Sequence, residues 1–186
     1  MKNKKKLRIF LSVSVFFIAA VILLFAQTER LAIKHYVSEY ENSKSVESLC
    51  LLCDSIVLSE DYDAKIKYLP QYLSDNNVIE YIKPLYSDKY LLDVHLTDYS
   101  LQYCLAFLHT DRLSDFETAF NKLMSDTEAK EVIYYALASD LNSSEYNENQ
   151  LECLSDVLKK NDIQNDVTHS CNSDLQFVIK ARLSAD

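Results

Sequence analysis

The chain has 186 residues, 28 Asp and Glu against 19 Lys and Arg, a formal net charge of −9 and no glycine. Without glycine there is no dinucleotide fingerprint and no P-loop, because both bring backbone against phosphate where a Cβ would intrude. Tight hairpins lose the residue that most readily takes positive φ, and an acidic balance disfavours nucleic acid, whose binding rests on neutralising phosphates. A 48% apolar and 25% charged composition is that of a globular chain, of a length that suits one domain plus an appendage.

The appendage is N-terminal. Residues 1–8 carry Lys2, Lys4, Lys5, Lys6 and Arg8. Ile9–Ala26 then runs 18 residues without a charge, broken only by Ser12 and Ser14. As a helix this stretch is about 27 Å long, close to the hydrocarbon thickness of a bilayer. Residues 9–27 are therefore expected to be a single transmembrane signal anchor, with 1–8 in the cytoplasm and 28–186 outside it. A cleaved signal peptide, releasing a secreted helical protein, begins in the same way. Against it, the run is longer than a usual signal core, and Leu24-Phe25-Ala26 places leucine where a signal peptidase site prefers a small residue.

Beyond Gln27 apolar residues recur with helical spacing, and an all-α domain is expected over 28–186. Ile33, Tyr36, Val37 and Tyr40 mark a first amphipathic stretch, and Val46, Leu49, Cys50, Cys53, Ile56 and Val57 a second. Tyr62, Ile66, Leu69 and Leu73 mark a third, bent or ended near Pro70, followed by a short one at Val78, Ile79 and Ile82. Leu101, Cys104, Leu105 and Leu108, with Tyr103 and Phe107 on other faces, read as a helix buried nearly all round. Phe116, Ala119, Phe120, Leu123 and Met124, then Ala129, Val132, Ile133, Ala136 and Leu137, fit the helical template closely, and the short Ser125–Thr127 joint predicts a hairpin between them. Leu151, Leu154, Val157 and Leu158 give another helix, and Leu175, Val178, Ile179 and Leu183 the last.

Ser-Asp occurs seven times, from Ser74 to Ser173, and six of these pairs fall where periodicity starts or stops; the pair at Ser155 lies mid-helix. Both residue types accept hydrogen bonds from a helix's first N–H groups, so the pairs are expected to cap helices. Short helices with brief joints predict a bundle or a short array of antiparallel αα-hairpins, stacked in the tetratricopeptide manner. No repeat of fixed length accompanies that architecture.

Candidate chemistry is sparse. Cys50-Leu51-Leu52-Cys53 has the spacing of a redox or metal pair, yet both thiols lie on an apolar stripe, where cysteine packs as a small hydrophobe. Cys104 reads as core. Cys153 and Cys171 flank a polar, aperiodic stretch, and a disulfide between them would staple it, as a compartment outside the cytoplasm permits. Asp93-Val94-His95 and His169-Ser170-Cys171 each offer two metal ligands where a site needs three or four, and no metal or other cofactor is expected. No zinc-protease helix or nucleophile elbow is present.

Eight of thirteen tyrosines lie between Tyr62 and Tyr103. Tyr62, Tyr68, Tyr72, Tyr81, Tyr86 and Tyr90 are candidates for a recognition face, since tyrosine pairs an apolar body with a polar tip; aromatic packing between helices is the simpler alternative. Five of the 19 basic residues precede the apolar run, which leaves 14 basic against 28 acidic groups beyond it. Such a surface favours a basic partner, or serves solubility. The expectation is a membrane-anchored, non-enzymatic helical module that binds another protein. A thiol-redox or metal-dependent activity at Cys50 and Cys53 is the alternative. If 9–27 is an anchor, the mature protein keeps residues 1–26 and stays in the membrane pellet after carbonate extraction; an N-terminus beginning beyond Ala26 refutes it.

Overall fold

The computed structural model describes residues 28, 30–162 and 167–184. The basic segment 1–8 and the expected transmembrane segment 9–27 lie outside these residues. No helix among those described is long and apolar enough to cross a membrane. The described residues are all-α, and the chain divides into two compact units, Met1–Ser55 and Ile56–Asp186.

In the first unit, helix α1 covers 30–43 and α2 (Val46–Val57) begins, the unit boundary falling inside α2. Lys44 turns the chain between them with φ 51°, and its N–H donates to Tyr40 O at 2.8 Å. Ser45 caps α2, its hydroxyl accepting from Ser48 N–H at 3.1 Å. Leu49, Cys50, Leu52 and Cys53 form the buried stripe of α2, as the spacing predicts.

The second unit holds α3 (Tyr62–Ser74), α4 (Asn76–Ile82), a 3₁₀ turn at Lys83–Leu85, α5 (Lys89–His109), α6 (Leu113–Asp126), α7 (Lys130–Ser143), α8 (Glu148–Lys160) and α9 (Val167–Leu183). Pro70 sits inside α3, and the helix runs on past it to Ser74. α5 is the long central helix; its second half, from Leu101 to Leu108, is buried on nearly every side. The core joins Leu101, Leu105 and Leu108 to Phe116, Phe120, Ile133, Leu137, Leu151, Leu154 and Ile179.

The helices pack in two rows. α3, α5, α7 and α9 are successive neighbours in one, and α6 and α8 lie together in the other. The rows are joined where α5 meets α6 and where α8 meets α9. The expected α6–α7 hairpin is therefore corrected: these two helices share no extended contact. α5 diverts the joint between them. The Asp93 carboxylate accepts from Thr127 Oγ1 at 3.3 Å, Glu128 N–H at 3.2 Å and Ala129 N–H at 3.1 Å. Beneath it the buried Thr97 and Thr127 hydroxyls meet at 2.5 Å. The chain thus crosses from one row to the other instead of folding back.

Ser-Asp pairs mark helix ends less faithfully than expected. Asp75 caps α4 and Asp88 caps α5, but the pairs at Ser139 and Ser173 lie within α7 and α9. Asp61 caps α3, and Asn147 with Gln150 forms a capping box on α8. α5 ends in a Schellman motif without glycine. Asp111 takes φ 56°, Arg112 N–H reaches Phe107 O at 2.9 Å, and Asp111 N–H reaches Leu108 O at 3.2 Å. The Arg112 guanidinium lies 4.6 Å over the Phe107 ring, supplying the contact that closes such a motif.

Asp93→Ala removes three acceptor contacts at the entrance to α7 and is expected to cost about 1–3 kcal/mol, read as a lower urea midpoint. Amide exchange at Glu128 and Ala129 should speed up more than exchange in α8. Equal protection in both proteins would dismiss the Asp93 clamp.

Candidate functional site

A cavity of about 430 Å³ opens in the second unit, walled by α3, α5 and α7 and by the chain at Val57–Glu60. Its polar lining includes Glu60, Tyr62, Lys65, Asp98, His109 and Asp140, with serines from Ser59 to Ser144 around them. Asp61, by capping α3, sets where Tyr62 and Lys65 project; Ser59 Oγ in turn accepts from Asp61 N–H at 3.1 Å.

His109 is the hub of one wall. Tyr62 stacks on its ring at 4.7 Å and 14°, and Tyr146 stacks at 4.9 Å and 30°. Its Nε2 lies 3.3 Å from Asp140 Oδ2 and 3.3 Å from the Tyr146 hydroxyl, which itself donates to Asp140. Ser144 Oγ donates to the other Asp140 oxygen at 3.1 Å. Arg182 of α9 fixes the end of α7, donating to Leu141 O at 2.7 Å and Ser144 O at 3.2 Å.

This His-Asp pair does not build a proton relay. A relay needs the carboxylate on one ring nitrogen and the nucleophile on the other, whereas Asp140 and Tyr146 converge on the same Nε2. Ser143 Oγ is spent on the Ser139 and Asp140 carbonyls, and Ser144 Oγ on Asp140 itself.

Lys65 follows Tyr62 on α3 and also lines the cavity. It is 4% exposed and donates to Gln102 Oε1 at 2.9 Å. Its Nζ lies 5.7 Å from the Tyr62 ring centre. Burial pulls the ammonium down to about 8, although Asp140, Asp98 and Glu60 pull it back toward its ordinary value. Asp98 responds in the opposite sense: burial raises it, partly offset by His95 and Lys65. Burial, then Glu60 and Asp140, also raise the Tyr62 hydroxyl.

The residues expected from sequence are dispersed. Tyr68 and Tyr72 are buried, with the Tyr72 hydroxyl 2.8 Å from His95 Nε2, so the six candidate tyrosines do not form one exposed face. Tyr81 and Tyr90 are exposed, Tyr86 packs on His95 at 5.1 Å, and Tyr62 alone reaches the cavity. Cys50 and Cys53 are buried, and burial raises both thiols, Cys50 to about 11, which suits packing better than thiolate chemistry. Cys104 is core, its thiol pushed up to about 12.

No disulfide joins Cys153 and Cys171 in this structure. Cys171 lies inside α9 rather than at the end of a loop, and Cys153 Sγ turns toward Leu113 O at 3.8 Å, at the start of α6. Asp93 and His95 face different partners, and His169 pairs with Asp162 at 2.9 Å. Among the described residues no three His, Cys, Asp or Glu are grouped to hold a metal ion. The cavity cluster was missed from sequence because its members are far apart in the chain, Tyr62 and Tyr146 by 84 positions, and join only when α3, α5 and α7 stand side by side.

No family model, curated protein or solved structure matches the chain.

The displaced Lys65 carries a pH signature. Its folded value of about 8 lies below the ordinary 10.5, so the unfolded chain holds the proton more tightly. The penalty is complete below pH 8 and fades as pH rises through 8 to 10.5. Lys65→Met should therefore be more stable than wild type at pH 7, by on the order of 1–3 kcal/mol, with the advantage shrinking toward pH 10.5. Urea midpoints of the two proteins across that range test it; a difference independent of pH refutes the assignment.

Proposed function

We propose that the chain is a membrane-anchored helical module that binds another protein outside the cytoplasm and is not an enzyme. One observation carries the reading: α3, α5 and α7 stand side by side and leave an open cavity along their row. Neighbour-to-neighbour stacking of this kind is how tetratricopeptide-like arrays turn small helices into an extended binding surface. The same row is where the chain departs from plain packing, with buried charge and exposed polar groups in place of leucine.

The basic segment 1–8 and the apolar segment 9–27 support the tether, with the acidic remainder facing away from the cytoplasm. The His109 wall supports binding over catalysis, because its groups satisfy one another. With 28 acidic against 14 basic residues beyond the apolar run, a partner with a basic surface is favoured.

A photoreactive amino acid at Ser143, exposed beside the cavity, should capture one recurrent membrane or extracytoplasmic protein in living cells. The same group at Glu152, exposed on α8 in the other row, should not. Equal capture at both positions, or none at either, defeats the reading.

A further inference from the structure

We propose that the cavity between α3, α5 and α7 binds a small zwitterion bearing both a carboxylate and an ammonium, an α-amino acid or a short peptide. Lys65 takes the carboxylate, and Asp98 takes the ammonium.

Two charged groups of the cavity have unmet demand. Lys65 is more than nine-tenths buried and lines the cavity, yet its ammonium has three donors and spends one, on Gln102. Asp98 lines the same cavity, and among the described residues its carboxylate accepts no hydrogen bond and joins no ion pair. A buried cation without a paired anion is among the costliest arrangements a fold can keep. These two groups sense each other's charge but do not close on each other. A ligand that brings the missing anion to Lys65 and the missing cation to Asp98 relieves both.

Charge decides between ligand classes. Glu60, Asp98 and Asp140 surround the single Lys65, with His109 and Tyr62 the remaining titratable groups of the lining. A simple anion meets an excess of carboxylates, and a simple cation competes with Lys65 for them. A zwitterion satisfies each in its place. The Tyr62 ring, stacked on His109, offers a flat apolar floor for a side chain, and about 430 Å³ accommodates a molecule of amino-acid to dipeptide size. The site stands independently of any protein partner.

Calorimetry on the full chain in detergent micelles tests this with L-phenylalanine, 3-phenylpropionate, 2-phenylethylamine and the dipeptide Ala-Phe. L-phenylalanine or Ala-Phe should bind with a Kd of about 1 mM or tighter. Whichever of the two binds more tightly identifies a free amino acid or a peptide as the source. Removing either charge should weaken binding about tenfold or more.

Lys65→Met should abolish binding, while Asp98→Asn should weaken the zwitterion and leave the lone carboxylate analogue unweakened. At pH 8.5, binding should take up protons, because a carboxylate at Lys65 favours its charged form; paired buffers of different ionisation enthalpy read this directly. If Lys65→Met does not fold, Asp98→Asn and the analogues still decide. No binding by either zwitterion, or a folded Lys65→Met with unchanged affinity, overturns the proposal. Failure here leaves photocapture at Ser143 unaffected, and loss of photocapture leaves these titrations unaffected.

Discussion

The second unit depends on the burial of α5. From Leu101 to Leu108 this helix offers water almost nothing, so neighbours must cover it on several sides at once. α3, α6 and α7 do so, and each then has one face committed and another left to extend the packing. α9 continues the row through α7, and α8 continues the other through α6. A helix with a single apolar stripe would have been content with one partner and a simple hairpin. Apolar residues on most faces of α5 generate the array.

The same burial explains why several polar groups inside the unit tie helix to helix, although the buried Asn172 Oδ1 accepts no hydrogen bond among the described residues. Thr97 and Thr127 answer each other, Gln150 donates to Leu108 O at 2.9 Å, and Asn172 donates to Leu158 O at 2.9 Å. Each ties one helix to the backbone or joint of another where mismatch would leave a dry polar atom. Lys65 and Asp98 differ from these in carrying charge: burial displaces both from their ordinary ionisation, and they form no ion pair with each other.

Helix identity was legible in the sequence; helix pairing was not. Apolar spacing located α2 to α4 and α6 to α9, because an amphipathic stripe writes its period into neighbouring residues. It missed the first three turns of α5, where Tyr90, Asp93 and His95 alternate polar and apolar character without a stripe. The α6–α7 joint is short enough to predict a hairpin, but what decides its path is Asp93, some 35 positions upstream. Likewise Ser-Asp signals a cap only where the helix has not already begun, so Asp88 caps α5 while Asp140 is drawn into α7 to serve His109. The tyrosine cluster illustrates the limit best: Tyr72 and Tyr81 are alike in sequence, and only the position of α5 buries one and exposes the other.

A chain without glycine also has to end its helices at some cost. The left-handed turns after α1 and α5 fall to Lys44 and Asp111, whose Cβ makes that conformation unfavourable by roughly 1 kcal/mol each. At Asp111 the cost is partly offset by side-chain contacts that glycine could not make. Its carboxylate accepts from Asn147 at 2.9 Å, and Asn147 in turn caps α8, which links the end of a helix in one row to the start of a helix in the other. Phe107 and Arg112 close the same turn from the other side. Tyr146, the next residue before Asn147, donates to Asp140 within the His109 cluster. The turn that most lacks a glycine therefore lies one residue from the cavity wall, and the contacts that compensate for the missing glycine are the ones that hold that wall in place.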